Sequence, residues 1–480
     1  MRISINNFKS IASLVEYEMR PLTILSGTNS SGKSSFIQLM LLLKQTLEDD
    51  SIERVLNLKG RLYSIVEYLD ILKNRNVANK LRVEFVFNKA ELSSYNDFDG
   101  FSIYSAVENY DLHITIVFDE AKDGKIIVSV FEVTFDPKGE GQTITTKFEN
   151  SESRFFLRTN RPLLVSDIGN RGEGSSILRR IHYSSFIPIE IEVENVLPKV
   201  EGFSSEPTIT FVKEVPKLDG IRALLKNVFG NLNYVGSYRK EPQDSYPDNG
   251  QNITVGKNGE NVAEVLCRIM DDNITFHKLL ETEDGFNLTE CKDTFLNAVK
   301  YWICERFRLC SDIYSKKEAD SYVIYVTSLF GVTSTIKHVG FGVSQILPII
   351  VEGLRIPSGQ TLILEQPEVH LHPKVQSAIT DFLISLIESK KNVVIETHSD
   401  HIITRLRRRI AEDESNKLDD KCLLTFVELA GDDIMFRNIP IDDFGVIELP
   451  YPQEFIENPD AELTAVLKAQ MKKRIKRVVK

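Results

Sequence analysis

The sequence lacks the features that mark secreted, membrane and disulfide-stabilised proteins. No apolar run in its 480 residues approaches the roughly 20 residues that a membrane-spanning helix needs. The opening residues, MRISINNFKS, hold no apolar stretch of the kind found in secretory signals. The five cysteines are scattered and include no CxxC pair, which argues against a zinc site or a disulfide framework. We therefore expect a cytoplasmic protein with reduced thiols and no membrane association.

A surplus of basic residues is also missing. The net charge is −11 at pH 7, which argues against a protein that coats itself non-specifically in nucleic acid. Two local basic clusters, at residues 405–409 and 472–477, leave a nucleic-acid contact open, although we favour a solvated helix face for each. Nucleic acid therefore remains open as a secondary partner.

Internal repeats, low-complexity tracts and long coiled-coil heptads are absent as well. A chain of this length exceeds the ~250–300 residues at which single hydrophobic cores stop growing, so we expect several lobes. Residues 80–215 contain alternating apolar and polar runs, which predict an antiparallel β region. Residues 217–230 and 260–308 show helical spacing, and α/β alternation returns from about residue 320. The predicted fold class is α/β, with a mostly parallel core sheet, an antiparallel β region and a helical lobe.

One segment, GTNSSGKS at residues 27–34, fits the phosphate-loop pattern GxxxxGK[ST] at every fixed position. A short apolar strand precedes it and an apolar helix follows, which is the context that such a loop requires. The glycines let the backbone approach phosphates closely, and the N–H groups at the helix start favour negative charge. Lys33 is expected to reach the β- and γ-phosphates, and Ser34 to bind Mg²⁺. The sequence therefore predicts binding of a nucleoside triphosphate with Mg²⁺.

Two later strands supply polar groups for the same ligand. The apolar strand at residues 361–364 ends in Glu365, a carboxylate that can hold Mg²⁺ through water. The apolar strand at residues 392–396 is followed by His398, at the strand end where ligands collect in open α/β sheets. Both residues are therefore candidates for the nucleotide site.

A glycine-rich turn, GFGVSQ at residues 340–345, opens another apolar helix. Its free N–H groups and the Ser344 hydroxyl suit a second anion. One triphosphate needs only one such cradle. Two chains facing each other head to tail would use both, because each would give its phosphate loop to one nucleotide and its Ser344 turn to the other. The sequence therefore predicts a homodimer, or a higher oligomer, assembled through the nucleotide sites.

Taken in chain order, the phosphate loop and the segments GFGVSQ, LILEQPEVHLHP and VVIETHSD resemble the ABC-type ATPase heads of the structural-maintenance-of-chromosomes, RecF and overcoming-lysogenisation-defect groups. GTNSSGKSSFIQLMLLLKQT, VGSYRKEPQDSYP and VGKNGENVAEVL look closer to prokaryotic AAA-type ATPases that carry a small C-terminal domain of unknown function. Such proteins often belong to antiphage systems, usually with a nuclease or another effector. Residues 90–215 add little to the resemblance.

The resemblance implies ATP and Mg²⁺ as ligands and assigns roles to matching positions. It implies a Mg²⁺ ligand in Ser34, Mg²⁺ support from Glu365, a γ-phosphate contact from His398 and a contact in trans from Ser344. Lys9 and Ser10 occupy the place where related heads touch the adenine. The phosphate-loop positions are Gly27, Thr28, Asn29, Ser30, Ser31, Gly32, Lys33, Ser34 and Ser35.

The chain departs from the family pattern at two places. The residue after the strand-ending carboxylate is normally a Glu that orients the attacking water, and here it is Gln366. A glutamine cannot accept a proton, so we expect slow hydrolysis unless Glu368, or water-mediated transfer to phosphate, serves instead. About 80 residues follow His398, too few for the Toprim nuclease domain of some relatives. The acidic pairs at 432–433 and 442–443 are more typical of turns than of a metal centre.

These patterns divide the chain into five predicted parts. They are the N-terminal core with the phosphate loop (1–90), a β-rich insertion (91–215), a helical lobe (216–320), the C-terminal core with the Ser344 turn, Glu365 and His398 (321–411) and a small C-terminal appendage (412–480).

Two hypotheses for function follow. The first is an ATPase that hydrolyses ATP slowly and dimerises around it. It would act as a switch that controls a separate effector in antiphage defence, and a nuclease is the effector that we favour. The second is a DNA-repair or chromosome-handling ATPase that binds DNA directly. The acidic net charge and the missing coiled coil favour the first. Arg239 has three open roles, which are an arginine finger, a contact to the base and a surface ion pair.

Overall fold

A computed structural model describes the greater part of the chain. It covers residues 1–28, 31–49, 54–88, 91–92, 110–137, 143–151, 154–159, 175–196, 210–214, 218–248, 250, 254–283, 285–415, 417–431 and 433–447. The tail cluster at 472–477 and the phosphate-loop residues Asn29 and Ser30 lie outside these ranges.

The strands are numbered here in chain order. The first half contains β1 Arg2–Phe8, β2 Ile11–Glu18, β3 Leu22–Gly27, β4 Leu81–Phe87, β5 Tyr110–Glu120, β6 Ile126–Pro137, β7 Ile144–Ser151, β8 Arg154–Thr159, β9 Ser175–Ser184, β10 Ile187–Val196 and β11 Thr210–Glu214. The second half contains β12 Leu232–Val235, β13 Tyr246–Pro247, β14 Asn273–Glu281, β15 Phe286–Thr294, β16 Asp312–Glu318, β17 Ser321–Thr327, β18 Thr333–Thr335, β19 Thr361–Glu365, β20 Asn392–Glu396, β21 Cys422–Ala430 and β22 Asp433–Ile439.

The helices are numbered in the same way. They are α1 Lys33–Glu48, α2 Asp219–Gly230, α3 Val262–Ile269, α4 Phe295–Lys300, α5 Phe341–Arg355, α6 Pro373–Glu388, α7 Asp400–Ala411 and α8 Leu418–Lys421. A π-helical segment, Tyr301–Arg306, continues α4, and short 3₁₀ turns lie at Tyr68–Ile71, Lys73–Arg75 and Ile336–His338. None of these described helices combines the length and the apolar character needed to cross a membrane.

A six-stranded sheet in the order β12-β19-β20-β3-β21-β22 positions the candidate site. Its first five strands pair in parallel, and only β22 runs antiparallel to its neighbour. Strands β3, β19 and β20 are short apolar runs buried on both faces, as strands of parallel sheets usually are. Their carboxyl ends therefore meet at one edge, where the sequence places the phosphate loop, Glu365 and His398.

Alternate residues of this sheet enter two separate hydrophobic cores. Leu362 and Leu364 of β19 pack into a core formed with α3 to α7. Ile363, between them, packs into a second core with α1, α2 and the sheet that contains β1, β2 and β4. This alternation follows from the two-residue period of a strand. The six-stranded sheet is therefore the middle layer of a three-layer arrangement.

The larger sheet has seven strands in the order β2-β1-β4-β5-β6-β7-β8 and is antiparallel throughout. The predicted mixed α/β class agrees with this architecture. The expectation of a mostly parallel core sheet describes the six-stranded sheet only. The seven-stranded sheet also joins the predicted N-terminal core to the predicted β insertion, because β1, β2 and β4 continue into β5 without a break in the sheet.

Two sequence expectations differ from the structure. Residues 260–308 were expected to be helical, but β14 and β15 form a hairpin between α3 and α4. The helical spacing comes from residues on either side of that hairpin, so it carried no information about the residues between. The segment expected to be a small C-terminal appendage instead contributes β21, which pairs in parallel with β3 directly beside the phosphate loop.

The basic cluster at 405–409 lies on α7 and is engaged within the protein. Asp381 of α6 is fully buried and accepts hydrogen bonds from Arg409 at 2.8 Å and from Arg405 at 2.8 Å. Arg306 donates to the same carboxylate at 2.9 Å. Burial alone would raise the pKa of Asp381, but these hydrogen bonds and charges outweigh it and lower the pKa. The cluster is therefore structural, and its use for nucleic-acid contact loses support.

Asp381→Ala should destabilise the protein strongly. The change removes the buried carboxylate that Arg306, Arg405 and Arg409 share, and leaves the buried Arg409 with only the less buried Glu281 and Glu412 as partners. Removing one partner of a buried ion pair typically costs about 3–5 kcal/mol of unfolding free energy. Because the pKa of Asp381 is lowered in the folded state, its contribution is present above the ordinary aspartate pKa and is lost as the pH falls. In denaturant unfolding, the difference in unfolding free energy between wild type and variant should therefore decrease at acid pH. The exposed Asp443→Ala is the control, and equal stability of both variants would contradict the prediction.

Candidate functional site

The phosphate loop connects β3 to α1 in a backbone conformation that needs glycine at both of its fixed positions. Gly27 has φ +145° and Gly32 has φ +88°, in the region that side chains disfavour. A Cβ at Gly27 would collide with the carbonyl oxygen of Val427, and one at Gly32 with the side chain of Ile434. The C-terminal hairpin of β21 and β22 therefore packs directly against the loop, and this explains why it belongs to the core.

Lys33 lies folded into the loop. Its Nζ donates to the carbonyl oxygens of Thr28 at 2.6 Å and Gly27 at 3.1 Å, and lies 3.4 Å from the Ser31 hydroxyl. Its side chain is buried, and burial lowers the pKa of the ammonium group, opposed by the charges of Glu396 and Glu368. The ammonium group thus already lies where a phosphate would come.

Ser34 and Ser35 face different neighbours. The Ser34 hydroxyl donates to Oε1 of Glu396 at 3.0 Å. The Ser35 hydroxyl lies 3.0 Å from that of Ser10, in the turn between β1 and β2. Lys9, in the same turn, donates to Gln38 of α1 at 2.6 Å. Lys9 and Ser10 therefore lie beside the phosphate loop.

Glu396 is a site residue that the sequence reasoning missed. It ends β20, the strand next to β3, and its side chain is buried. Burial and the neighbouring charge of Glu365 raise the pKa of Glu396 to about 7, against the Ser34 hydrogen bond and the Lys33 charge. The sequence shows that Glu396 ends the apolar strand that leads to His398, but not that this strand lies next to β3.

Glu365 lies one strand further from the loop. In the sheet register it is paired with Glu396, which in turn is paired with Leu25 of β3. The Glu365 carboxylate accepts hydrogen bonds from the Tyr234 hydroxyl and the Ser237 N–H, and burial raises its pKa. The carboxylate in contact with Ser34 is thus that of Glu396, and Glu365 lies on the next strand, further from the phosphate loop.

Gln366 forms a sharp turn at the end of β19. Its φ is +45°, which is unusual for a residue with a side chain and is a type of strain that clusters at functional sites. Its N–H donates to the carbonyl oxygen of Glu396 at 2.7 Å, and its carbonyl oxygen accepts from Arg239 at 2.9 Å. The turn redirects the chain so that Glu368 comes back towards the loop.

Glu368 and His398 meet beside Lys33. Oε1 of Glu368 accepts from the backbone N–H of His398 at 2.8 Å, and the Thr397 hydroxyl adds a second hydrogen bond. Burial raises the pKa of Glu368. Burial and the charge of Lys33 lower the pKa of His398, while a ring N–H donates to the Gly27 carbonyl. His398 is therefore biased towards the neutral form and hydrogen-bonds to the phosphate loop at Gly27.

Arg239 connects this region to the helix that carries Ser344. It is only 3% exposed, and its Nε donates to Oε1 of Gln345 at 3.3 Å. An exposed ion pair is therefore excluded for Arg239, and so is a free finger in this conformation. Ser344 itself is buried in the first turn of α5 and donates to the Phe341 carbonyl at 2.7 Å. Among the described residues, no hydrogen bond joins Ser344 to the phosphate loop of its own chain.

Buried polar atoms without a partner gather at this place. Over the described residues they include Oε2 of Glu368, Oε2 of Glu396, Nη1 of Arg239 and Nε2 of Gln345. Buried polar groups are normally satisfied, so such a cluster indicates a site that a ligand completes. Mg²⁺ prefers oxygen ligands and usually takes one or two carboxylates together with substrate phosphates. The hydroxyl of Ser34 and the free oxygen of Glu396 fit that requirement.

A comparison with protein-family models identifies the family of the chain. The family model described as AAA ATPase domain matches residues 1–168 and 232–403, which is well over half of the chain. The chain belongs to the AAA ATPase domain family. The two matched segments contain the phosphate loop, Gln345, Glu365 and His398, so the ATPase assignment covers the site described above.

Solved structures give a more distant likeness to this AAA ATPase. The SMC head bound to the C-winged helix domain of ScpA is 9% identical with a TM-score of 0.42, covering 92% of this chain and 97% of that one. The SMC head domain from Thermotoga maritima is 12% identical with a TM-score of 0.34, covering 92% and 100%. The Smc head bound to the C-terminal domain of ScpA derived from Pyrococcus furiosus is 10% identical with a TM-score of 0.42, covering 92% and 96%. No protein of curated function matches the sequence.

Lys33→Ala should abolish ATP binding by this AAA ATPase. The substitution removes the one phosphate-loop cation, which the structure holds against the carbonyl oxygens of the loop. Calorimetric titration with Mg²⁺ and ATP measures the effect. The exposed Lys316→Ala should bind as wild type does, and unchanged affinity in Lys33→Ala would remove the basis of the site assignment.

Glu396→Gln should raise the Mg²⁺ concentration that ATP binding requires. The amide oxygen can still accept from Ser34, but the charge is lost, and loss of a metal-supporting group typically weakens metal affinity about 10–100-fold. Without Mg²⁺ the variant should bind ATP no worse than wild type, because one negative charge near the phosphates is gone. Glu365→Gln should have the smaller effect on Mg²⁺ dependence. A larger effect of Glu365→Gln than of Glu396→Gln would assign the main Mg²⁺-binding role to Glu365.

Proposed function

We propose that this AAA ATPase binds Mg²⁺-ATP at the phosphate loop and closes head to tail with a second copy around the nucleotide. The observation that carries the proposal is the cluster of unpartnered buried polar atoms, which links the loop region to the first turn of α5 through Arg239 and Gln345. Such a cluster is expected where a ligand and a partner complete the site.

The start of α5 has the properties that a contact in trans requires. Its first turn has no side-chain cap, and Val343 N–H donates to the Gly340 carbonyl at 3.2 Å, so the N–H groups of Phe341 and Gly342 are the ones offered to an anion. Gly340, the residue before the helix, is exposed, and a Cβ placed there would have nothing within 4 Å. This space lets another chain approach closely. Ser344 is buried one turn inside the helix, so we assign the contact to the N–H groups first and to the hydroxyl second.

Within one chain, each site residue has a defined task. Lys33 leaves the loop carbonyls to pair with the β- and γ-phosphates, and the loop N–H groups hold the remaining phosphate oxygens. Ser34 and Glu396 would hold Mg²⁺, with Glu365 behind them. Mg²⁺ neutralises phosphate charge and supports departure of ADP. His398, whose ring N–H donates to the Gly27 carbonyl in the ligand-free chain, would turn that N–H to the γ-phosphate as a neutral donor.

The closed dimer would act as a switch for a separate effector, and antiphage defence is the setting that the sequence resemblance supports. Among the described residues, no three His, Cys, Asp or Glu side chains are arranged to hold a metal ion, so a nuclease centre finds no support there. Direct DNA handling is the weaker alternative, because the arginines at 405 and 409 are engaged with Asp381. Electrophoretic shifts of duplex DNA with and without ATP separate the two hypotheses.

Gly340→Asp should block ATP-driven dimerisation without harming the monomer. An Asp before a helix is a favourable N-cap, so the nucleotide-free monomer should be at least as stable as wild type. In the closed dimer the same carboxylate would face the partner's triphosphate and repel it. Gly340→Ala is the matched control and should still dimerise.

Sedimentation with Mg²⁺ and an ATP analogue that resists hydrolysis measures the dimer directly. Wild type and Gly340→Ala should shift to the dimer, and Gly340→Asp should remain monomeric. A Gly340→Asp chain that dimerises as wild type does, or a wild type that never dimerises, would show that the head-to-tail geometry is wrong.

A further inference from the structure

The site contains a carboxylate in a position to replace the missing glutamate at 366. The left-handed turn at Gln366 reverses the chain, and Leu371 N–H closes the next turn on the carbonyl oxygen of Glu368 at 3.1 Å. This geometry returns the Glu368 side chain to the carboxyl end of the sheet, beside β20 and the phosphate loop. There it is one of the two carboxylates whose charge acts on Lys33.

The two oxygens of Glu368 have different surroundings. Oε1 accepts from the His398 N–H at 2.8 Å, and the Thr397 hydroxyl hydrogen-bonds to the same carboxylate group. Oε2 is buried and has no partner among the described residues. A carboxylate with one oxygen hydrogen-bonded and the other unpartnered is held in one orientation and can still accept a proton. This is the arrangement that a proton acceptor needs.

The neighbouring carboxylates are less available for this role. Glu396 accepts from Ser34 at 3.0 Å and lies where Mg²⁺ would bind. Glu365 accepts from Tyr234 and Ser237 and lies one strand further from the loop. Glu368, in contrast, accepts a hydrogen bond from the N–H of His398. His398 precedes Ser399, the N-cap of α7, and its ring hydrogen-bonds to the Gly27 carbonyl of the phosphate loop.

On the basis of the proposed function, we propose that Glu368 is the proton acceptor of ATP hydrolysis in this protein. The water oxygen forms a bond to the γ-phosphorus while the bond from that phosphorus to the bridging oxygen breaks. The bridging electron pair leaves with ADP, and the proton of the water passes to Oε2 of Glu368 and then to solvent. Burial raises the pKa of Glu368, which brings its basicity closer to working pH.

Glu368→Gln tests the proposal while keeping the local hydrogen bonds, since its amide oxygen can still accept from His398. Single-turnover hydrolysis with saturating Mg²⁺-ATP should fall by about 10²–10⁴-fold, the usual worth of a general base. ATP affinity and ATP-driven dimerisation should stay as in wild type. The exposed Glu290→Gln on β15 should hydrolyse at the wild-type rate.

Glu368→Ala with added formate supplies a readout that a purely structural role would not give. Formate can enter the space left by the side chain and accept the proton, so the lost rate should return in part as formate rises, and formate should not speed Glu368→Gln. Wild-type hydrolysis in Glu368→Gln overturns the proposal, as does a wild type that binds ATP and does not hydrolyse it. Sedimentation of wild type with the resistant analogue tests the dimer separately, because it needs no hydrolysis.

Discussion

The parallel register of β19, β20 and β3 is the constraint on which the site depends. Glu365, Glu396 and Leu25 lie in one row across the three strands, and the phosphate loop begins two residues after Leu25. Parallel pairing aligns the carboxyl ends of strands that are remote in sequence, so the row brings residues 365 and 396 to the loop at 27–34. A slip of one residue would turn each of these side chains to the opposite face of the sheet. The buried apolar residues on both faces make such a slip costly.

That register gathers negative charge around one cation. Glu396 and Glu368 both act on Lys33, and Glu365 and Glu368 both raise the pKa of Glu396. A carboxyl whose pKa is raised to about 7 holds a proton in the folded state at pH values where the unfolded chain has lost it. Its contribution to stability is therefore present below the ordinary glutamate pKa and is lost as the pH rises towards 7. Near neutral pH the ligand-free site thus carries unfavourable negative charge that a divalent cation would relieve.

Much of this could be predicted from the sequence, wherever a strong local pattern exists. The strand at 392–396 follows from its apolar run, and Gly27, Gly32 and Lys33 follow from a motif whose mechanics are local. The β14–β15 hairpin was missed because nearly all of its residues are exposed or half exposed, so no apolar stripe marks them. Glu396 was missed because its role depends on which strand lies next to β3. Strand order is a property of the whole fold, and no local pattern encodes it.

The role of Arg239, like that of Glu396, could not be predicted from local sequence. The Arg239 side chain connects the turn after β19 to α5, the helix that carries the proposed dimer contact. In the sequence Arg239 lies in a predicted loop and has several open roles. In the fold it is buried between the Gln366 carbonyl and the Gln345 side chain, so it joins the turn after β19 to the first turn of α5. A buried guanidinium keeps its charge and is costly to leave unpaired. Any displacement of the Gln366 turn must therefore carry Arg239 with it or break its hydrogen bonds. Because Gln345 is adjacent to Ser344, such a displacement would reach the surface that faces the second nucleotide in the proposed dimer.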